Sequence, residues 1–171
     1  MTLEIYQHVW FILVGVLLAV YAILDGFDLG LGTLLPFLAK DEKEKESLLM
    51  SIWPFWDGNE VWLLTAGGAL FAAFPHAYAT VFSGFYIPLM AVVFALIFRA
   101  VSIEFWFYDH RRRILWERAF VAGSFIPSLL YGVALGNVIL GIPMDGGMNY
   151  TGSLLHLLHP FALLCGVIGL A

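Results

Sequence analysis

Charge is what this chain has least of. Asp, Glu, Lys and Arg make up only 12% of its 171 residues, against roughly 25% in an average protein. That scarcity, with 61% hydrophobic residues and a mean hydropathy of +0.89, excludes an ordinary soluble domain. It points instead to an all-α, polytopic integral membrane bundle. Cysteine is nearly absent as well. The single Cys165 excludes an internal disulfide and a cysteine-based metal cluster, and its place in an apolar run suits packing. There is no basic stripe for nucleic acid, no phosphate-cradling loop, no nucleophile elbow and no convincing metal-ligand spacing. Residues 1–8 contain neither Lys nor Arg, and no small-residue cleavage site follows. The first span is therefore expected to stay in the mature protein rather than leave as a signal peptide.

What is present is a series of long apolar runs. Residues 9–38, interrupted only by Asp25 and Asp28, would extend about 45 Å as one helix. That exceeds the ~30 Å hydrocarbon core, so tilt or an overhanging end must absorb the excess. Residues 40–46 are expected to form a solvated hairpin. Further spans are expected at about 52–74, 79–98 and 119–142. The third contains Pro88 and is closed by Arg99, residues 100–118 read as interfacial, and 143–147 form a turn-rich loop. A fifth apolar run opens near Leu154 and is still apolar at Ala171. The expectation is thus four full transmembrane helices plus a fifth truncated by the chain end. Residues 1–153 would form a first four-helix bundle, and 154–171 would begin a second within a longer polypeptide. Gly26–Gly30 and Gly132–Gly136 match a helix-contact spacing, and Pro88 and Pro127 are expected to kink their helices.

Topology follows from Lys40, Lys43, Lys45, Arg99, Arg111, Arg112, Arg113 and Arg118, which are all of the chain's basic residues. With alternating spans they fall on a single side, which the positive-inside rule makes cytoplasmic, leaving the N-terminus outside. Asp25 then lies about 25 Å in from the outer face. Asp28, Asp57 and Glu60 gather toward the same inner end. Asp25 and Asp28 share a helix face, with Cβ atoms ~5–6 Å apart, and two carboxylates so close resist double ionisation. A proton relay needs that property. An acid at a helix centre costs roughly 2.5–3.5 kcal/mol on insertion scales, a cost that packing alone would not retain. The plainer alternative is an interfacial pair that ends the hydrophobic core and bonds to a neighbouring helix.

Asp57 is a candidate N-cap for the second span, with Glu60 completing a capping box, a role compatible with a proton entrance. Trp53, Trp56 and Trp62 suit the aromatic belt at the headgroup level. A haem pair needs two imidazoles at matched depth on different helices. His8 and His76 also lie near the outer side, and His156 or His159 with His76 is one such combination, but both ends are near water, which favours interfacial hydrogen bonding. Arg111, Arg112 and Arg113 read as topology determinants, with anionic lipid headgroups as their next candidate partner.

Five motifs add a resemblance: Asp25-Gly26-Phe27-Asp28-Leu29-Gly30, Trp56-Asp57-Gly58-Asn59-Glu60-Val61-Trp62-Leu63, the segment from Thr65 to Pro75, Phe82-Ser83-Gly84-Phe85-Tyr86, and Gly132-Val133-Ala134-Leu135-Gly136-Asn137. Together they resemble subunit II of the cytochrome bd quinol oxidases, over essentially the whole chain. Family members are about twice as long, with two similar four-helix bundles, so the resemblance implies the N-terminal half. It implies a haem-free membrane subunit in a bacterial respiratory oxidase that takes electrons from quinol and reduces dioxygen to water. Haems b and d would reside in the partner, subunit I. The resemblance also leaves room for a small single-span subunit and a quinone bound as a structural lipid. Asp25 and Asp57, with Asp28 beside the first, are the acids it carries into a proton path. The competing expectation is half of a secondary transporter with acidic ion-coupling residues, which would place its acids near mid-membrane within inverted repeats. A blander one is a scaffold whose acids only cap helices.

Overall fold

The computed structural model describes residues 3–147 and 150–170. Seven α-helices follow in order: α1 Leu3–Leu38, α2 Glu42–Ile52, α3 Trp56–Ala73, α4 Pro75–Gly84, α5 Tyr86–Tyr108, α6 Arg113–Leu140 and α7 Pro160–Ile168. A 3₁₀ turn, Leu154–Leu158, precedes the last. Among the described residues the only β pairing is an isolated bridge between Met144 and Tyr150, so the all-α expectation is met. α1, α5 and α6 are each long and apolar enough to cross a membrane. α6 is the hub, packing against α1, α5 and α7, while α3 lies along α1.

Proline chemistry explains where the apolar runs break. The third run does not extend unbroken from 79 to 98. It divides at Phe85, between α4 and α5. Pro88 has no N–H to give the Gly84 carbonyl, so the helix restarts there and Pro88 falls in its first turn. Pro75 likewise opens α4 after the non-helical Phe74. α5 then runs past Arg99 as far as Tyr108, so Arg99 does not close the span. Its charge is matched inside the bundle, and the helix has no need to end at it.

Residues 40–46 also differ from the expected hairpin, because most of them belong to α2. Asp41 caps that helix by accepting from the Glu44 N–H at 2.8 Å, and Glu44 reaches back to the Lys40 N–H at 2.7 Å. Local side chains thus satisfy donors that a helix start leaves open. The apolar face of α2 turns Leu49 and Ile52 into a core with Leu31, Leu35, Ala39, Ile103, Trp106 and Phe120. All of these lie toward one end of the bundle, the end that carries the Lys and Arg loops. Lys45 pairs with Glu117 at 2.8 Å and Arg113 with Glu42 at 3.0 Å, tying α2 to the start of α6.

The two glycine pairs behave differently. At Gly132 and Gly136 a Cβ would strike the backbone of Cys165 and Ala162, so α7 approaches α6 closely there. At Gly26 and Gly30 an added Cβ meets nothing. The expected helix contact is therefore missing at that pair, because the neighbouring buried positions, Asp25, Asp28 and Leu29, carry the packing face of α1.

Candidate functional site: a buried ion cluster

The buried positions of α1 include Tyr21, Asp25, Asp28, Gly32 and Leu35, alternately four and three residues apart. That spacing forms one inward stripe. Phe27, on the opposite face, is 64% exposed, whereas Asp25 is fully buried. α1 thus turns Asp25 and Asp28 inward and Phe27 toward the surroundings.

Arg99 of α5 meets them. Its Nη2 lies 2.7 Å from Asp25 Oδ1 and 3.6 Å from Asp28 Oδ2, and its Nη1 lies 3.7 Å from Glu60 Oε1 on α3. Gly123 of α6 makes room for this, since a Cβ there would meet the Arg99 backbone N at 2.8 Å. Asn59 of α3 donates to Asp28 Oδ2 at 2.8 Å and lies 3.5 Å from the Leu24 carbonyl. Three carboxyl groups therefore share one guanidinium. Burial of ionised groups is tolerated only with matched charge and hydrogen bonds, and here the acids outnumber the cation. The cluster therefore carries an excess of acidic groups over the one cation.

By helical rise, Asp25 stands about 20 Å from the C-terminal end of α1 and Glu60 about 6 Å from the start of α3. The group thus sits nearer the end bearing α2 than the opposite one. Asp25, Asp28 and Glu60 come together; Asp57 does not join them. It is exposed and makes no hydrogen bond or ion pair with a described residue. Nor is it the N-cap, a position that falls to Phe55 without any side-chain bond. The turn closed by Phe55 N–H on the Ile52 carbonyl at 2.9 Å starts the helix earlier than expected. Asp57 lies in its first turn, where an acid favours the helix dipole, and Glu60 reaches for Arg99 instead of completing a capping box.

Sequence reasoning missed Arg99, Asn59 and the pair Tyr21–Tyr131. The charge pattern alone groups Arg99 with the loop cations. The signal against that grouping is the apolar sequence continuing beyond it, through Val101 and Ile103. Three of the five histidines make local side-chain contacts. His8 Nδ1 contacts the Glu4 carbonyl, His156 forms a capping box with Ser153, and His159 Nδ1 accepts from the Phe161 N–H. Among the described residues no group of three or more His, Cys, Asp or Glu could hold a metal ion.

Fold and cluster define a multi-pass membrane protein whose helices enclose an acid-rich ion cluster. The chain belongs to the family described as cytochrome bd terminal oxidase subunit II, whose model matches residues 6–171. It is 47% identical to the probable cytochrome oxidase subunit 2 of Haemophilus influenzae, over 98% of this chain and 46% of that protein. It is 45% identical to the cytochrome bd-I ubiquinol oxidase subunit 2 of Escherichia coli K12, over 96% of this chain and 45% of that protein. The Bacillus subtilis cytochrome bd ubiquinol oxidase subunit 2 is 43% identical, over 94% of this chain and 48% of its own length. The chain thus spans about half the length of the curated relatives it matches.

Proposed function

We infer that this chain is the N-terminal half of a haem-free subunit in a bacterial, inner-membrane quinol:dioxygen oxidoreductase. In that assembly it supports a haem-bearing partner, subunit I, and passes it protons from the cytoplasm. The relatives' names, as ubiquinol oxidase subunits, support the assembly. The chemistry rests on one observation: Asp25, Asp28 and Glu60 converge on Arg99, with Glu60 partly open at 23% exposure. Reduction of dioxygen to water consumes protons, and a lipid-enclosed reaction must draw them through polar side chains. Glu60, with exposed Asp57 a turn away, is the entrance; Asp28 and Asp25 are the interior stations. Arg99 keeps them in place. Haems b and d and quinol oxidation belong to the partner.

Lys40, Lys43, Lys45, Arg111, Arg112, Arg113 and Arg118 lie on the cytoplasmic side, and the N-terminus is outside. α3, about 27 Å long by helical rise, is the fourth crossing, and α7 opens the second bundle. Membership of the oxidase family leaves the transporter reading without support.

Glu60→Gln in the assembled, full-length complex provides the test. Oxygen consumption driven by quinol should fall about a hundredfold, the lower end of what a positioned proton donor supplies, with the visible absorption unchanged. Unaltered turnover across pH would reduce the cluster to scaffolding.

A further inference from the structure

Two tyrosines lie just beyond the cluster, outside the path described so far. Tyr21 stands one turn before Asp25 on the same inward stripe and is 5% exposed. Its hydroxyl is 2.9 Å from that of Tyr131 on α6, and the rings meet edge to face with centroids 5.7 Å apart. Phenylalanines would fill this space equally well, and a buried phenol brings a hydroxyl that must find a partner. Asp25 follows Tyr21 by one helical turn on that stripe, close enough for its charge to act on the phenol. One oxygen of that carboxylate, Oδ1, is held by Arg99; the other, Oδ2, is buried without a hydrogen-bond partner. A hydroxyl both donates and accepts, so a line of two can run in either direction.

We propose that Tyr21 and Tyr131 are positioning residues for Asp25, forming a reversible two-hydroxyl chain that serves its carboxyl group with and without a proton. When Asp25 is ionised, Tyr131 donates to Tyr21 and Tyr21 donates to Oδ2. When Oδ2 is protonated, it donates to Tyr21 and Tyr21 donates to Tyr131. Only hydrogen-bond directions change. Both phenols stay neutral, and the single proton gained or lost is the one on Asp25. The other polar groups facing this carboxyl are Arg99 from α5, Asp28 on α1, and Glu60 and Asn59 from α3. None of them gives Oδ2 a donor. Oδ2 is thus the open position of the cluster, and the Tyr21 hydroxyl, one turn away and paired with Tyr131, is the group that a rotation about its C–O bond would offer to it in either state.

The proposal rests on Asp25 lying in the proton path. The full-length protein in its assembled complex is prepared with Tyr21→Phe, Tyr131→Phe and Asp25→Asn, singly and combined. Asp25→Asn leaves Arg99 the carboxylates of Asp28 and Glu60, and the phenylalanines keep the ring contact. Quinol-driven oxygen consumption is followed across pH. Each Phe variant should lower turnover about three- to tenfold, the equivalent of one hydrogen bond, and displace the pH profile. In the Asp25→Asn background neither should do so, because coupled residues are not additive. Should the Tyr21 variant fail to assemble, Tyr131→Phe decides by the same cycle. An unchanged profile in the Phe variants, or an equal loss with and without Asp25, overturns the proposal. If Asp25→Asn slows turnover and the Phe variants do not, the tyrosine chain alone falls. If Asp25→Asn is itself without effect, the proton-path reading falls, and this inference with it.

Discussion

Arg99 shows how one residue decides the character of its surroundings. It is 1% exposed, and among the described residues its guanidinium is the only cation paired with Asp25, Asp28 and Glu60. Removing one partner from a buried ion group costs about 3–5 kcal/mol, because the remaining charges are left unmatched. Arg99→Gln should therefore lower the thermal midpoint and yield of the complex sharply. Arg99→Lys should lower them less, since it restores charge without the planar fork. Equal stability in all three proteins would show that the cluster does not depend on this cation. The site was half legible in sequence. Asp25 and Asp28 stand three apart in an apolar span, which helical geometry alone turns into a shared face. Arg99 was not legible, because an arginine between apolar residues looks the same whether it closes a span or lies inside one. The difference is a contact 74 residues away in the chain.

Among the elements, the contrast between glycine pairs is instructive. Spacing marked both pairs equally, yet only Gly132–Gly136 has a helix laid against it. The second helix is a tertiary fact that spacing does not contain. A Cβ at Gly136 would lie 2.7 Å from the Ala162 Cα and 3.0 Å from the Cys165 Cβ. Gly136→Val should consequently push α7 off α6. Thiol labelling of Cys165, half-buried here, is the readout, and the variant should label faster by several-fold. An unchanged rate would mean that α7 docks by other contacts. The helical segments were mostly legible because apolar length alone signals them. α2 was not, since its charged surface resembles a loop, and the evidence for it lies in Asp41 and Glu44 bonding to the backbone and in Leu49 and Ile52 turning inward.

For the whole molecule, charge distribution sets orientation. With Arg99 internal, seven basic residues remain at the end that holds α2 and the start of α6, and the positive-inside rule still has a single answer. Single cysteines placed at Lys43 and at His76 in a Cys165→Ala background should be labelled from opposite sides of sealed vesicles. The first is expected to face the cytoplasm, and labelling of both from one side would contradict the topology. Beneath the ion cluster, Leu35, Ile52, Trp106 and their neighbours close the bundle, with Arg113 stacked 4.5 Å over the Trp106 ring. On the proton path proposed above, so apolar a stopper would turn traffic toward Asp25 away from the bundle axis. The proposed entrance, Glu60 on α3, would then admit it sideways where α1 meets α3, a door hung in the wall of the molecule and not in its floor.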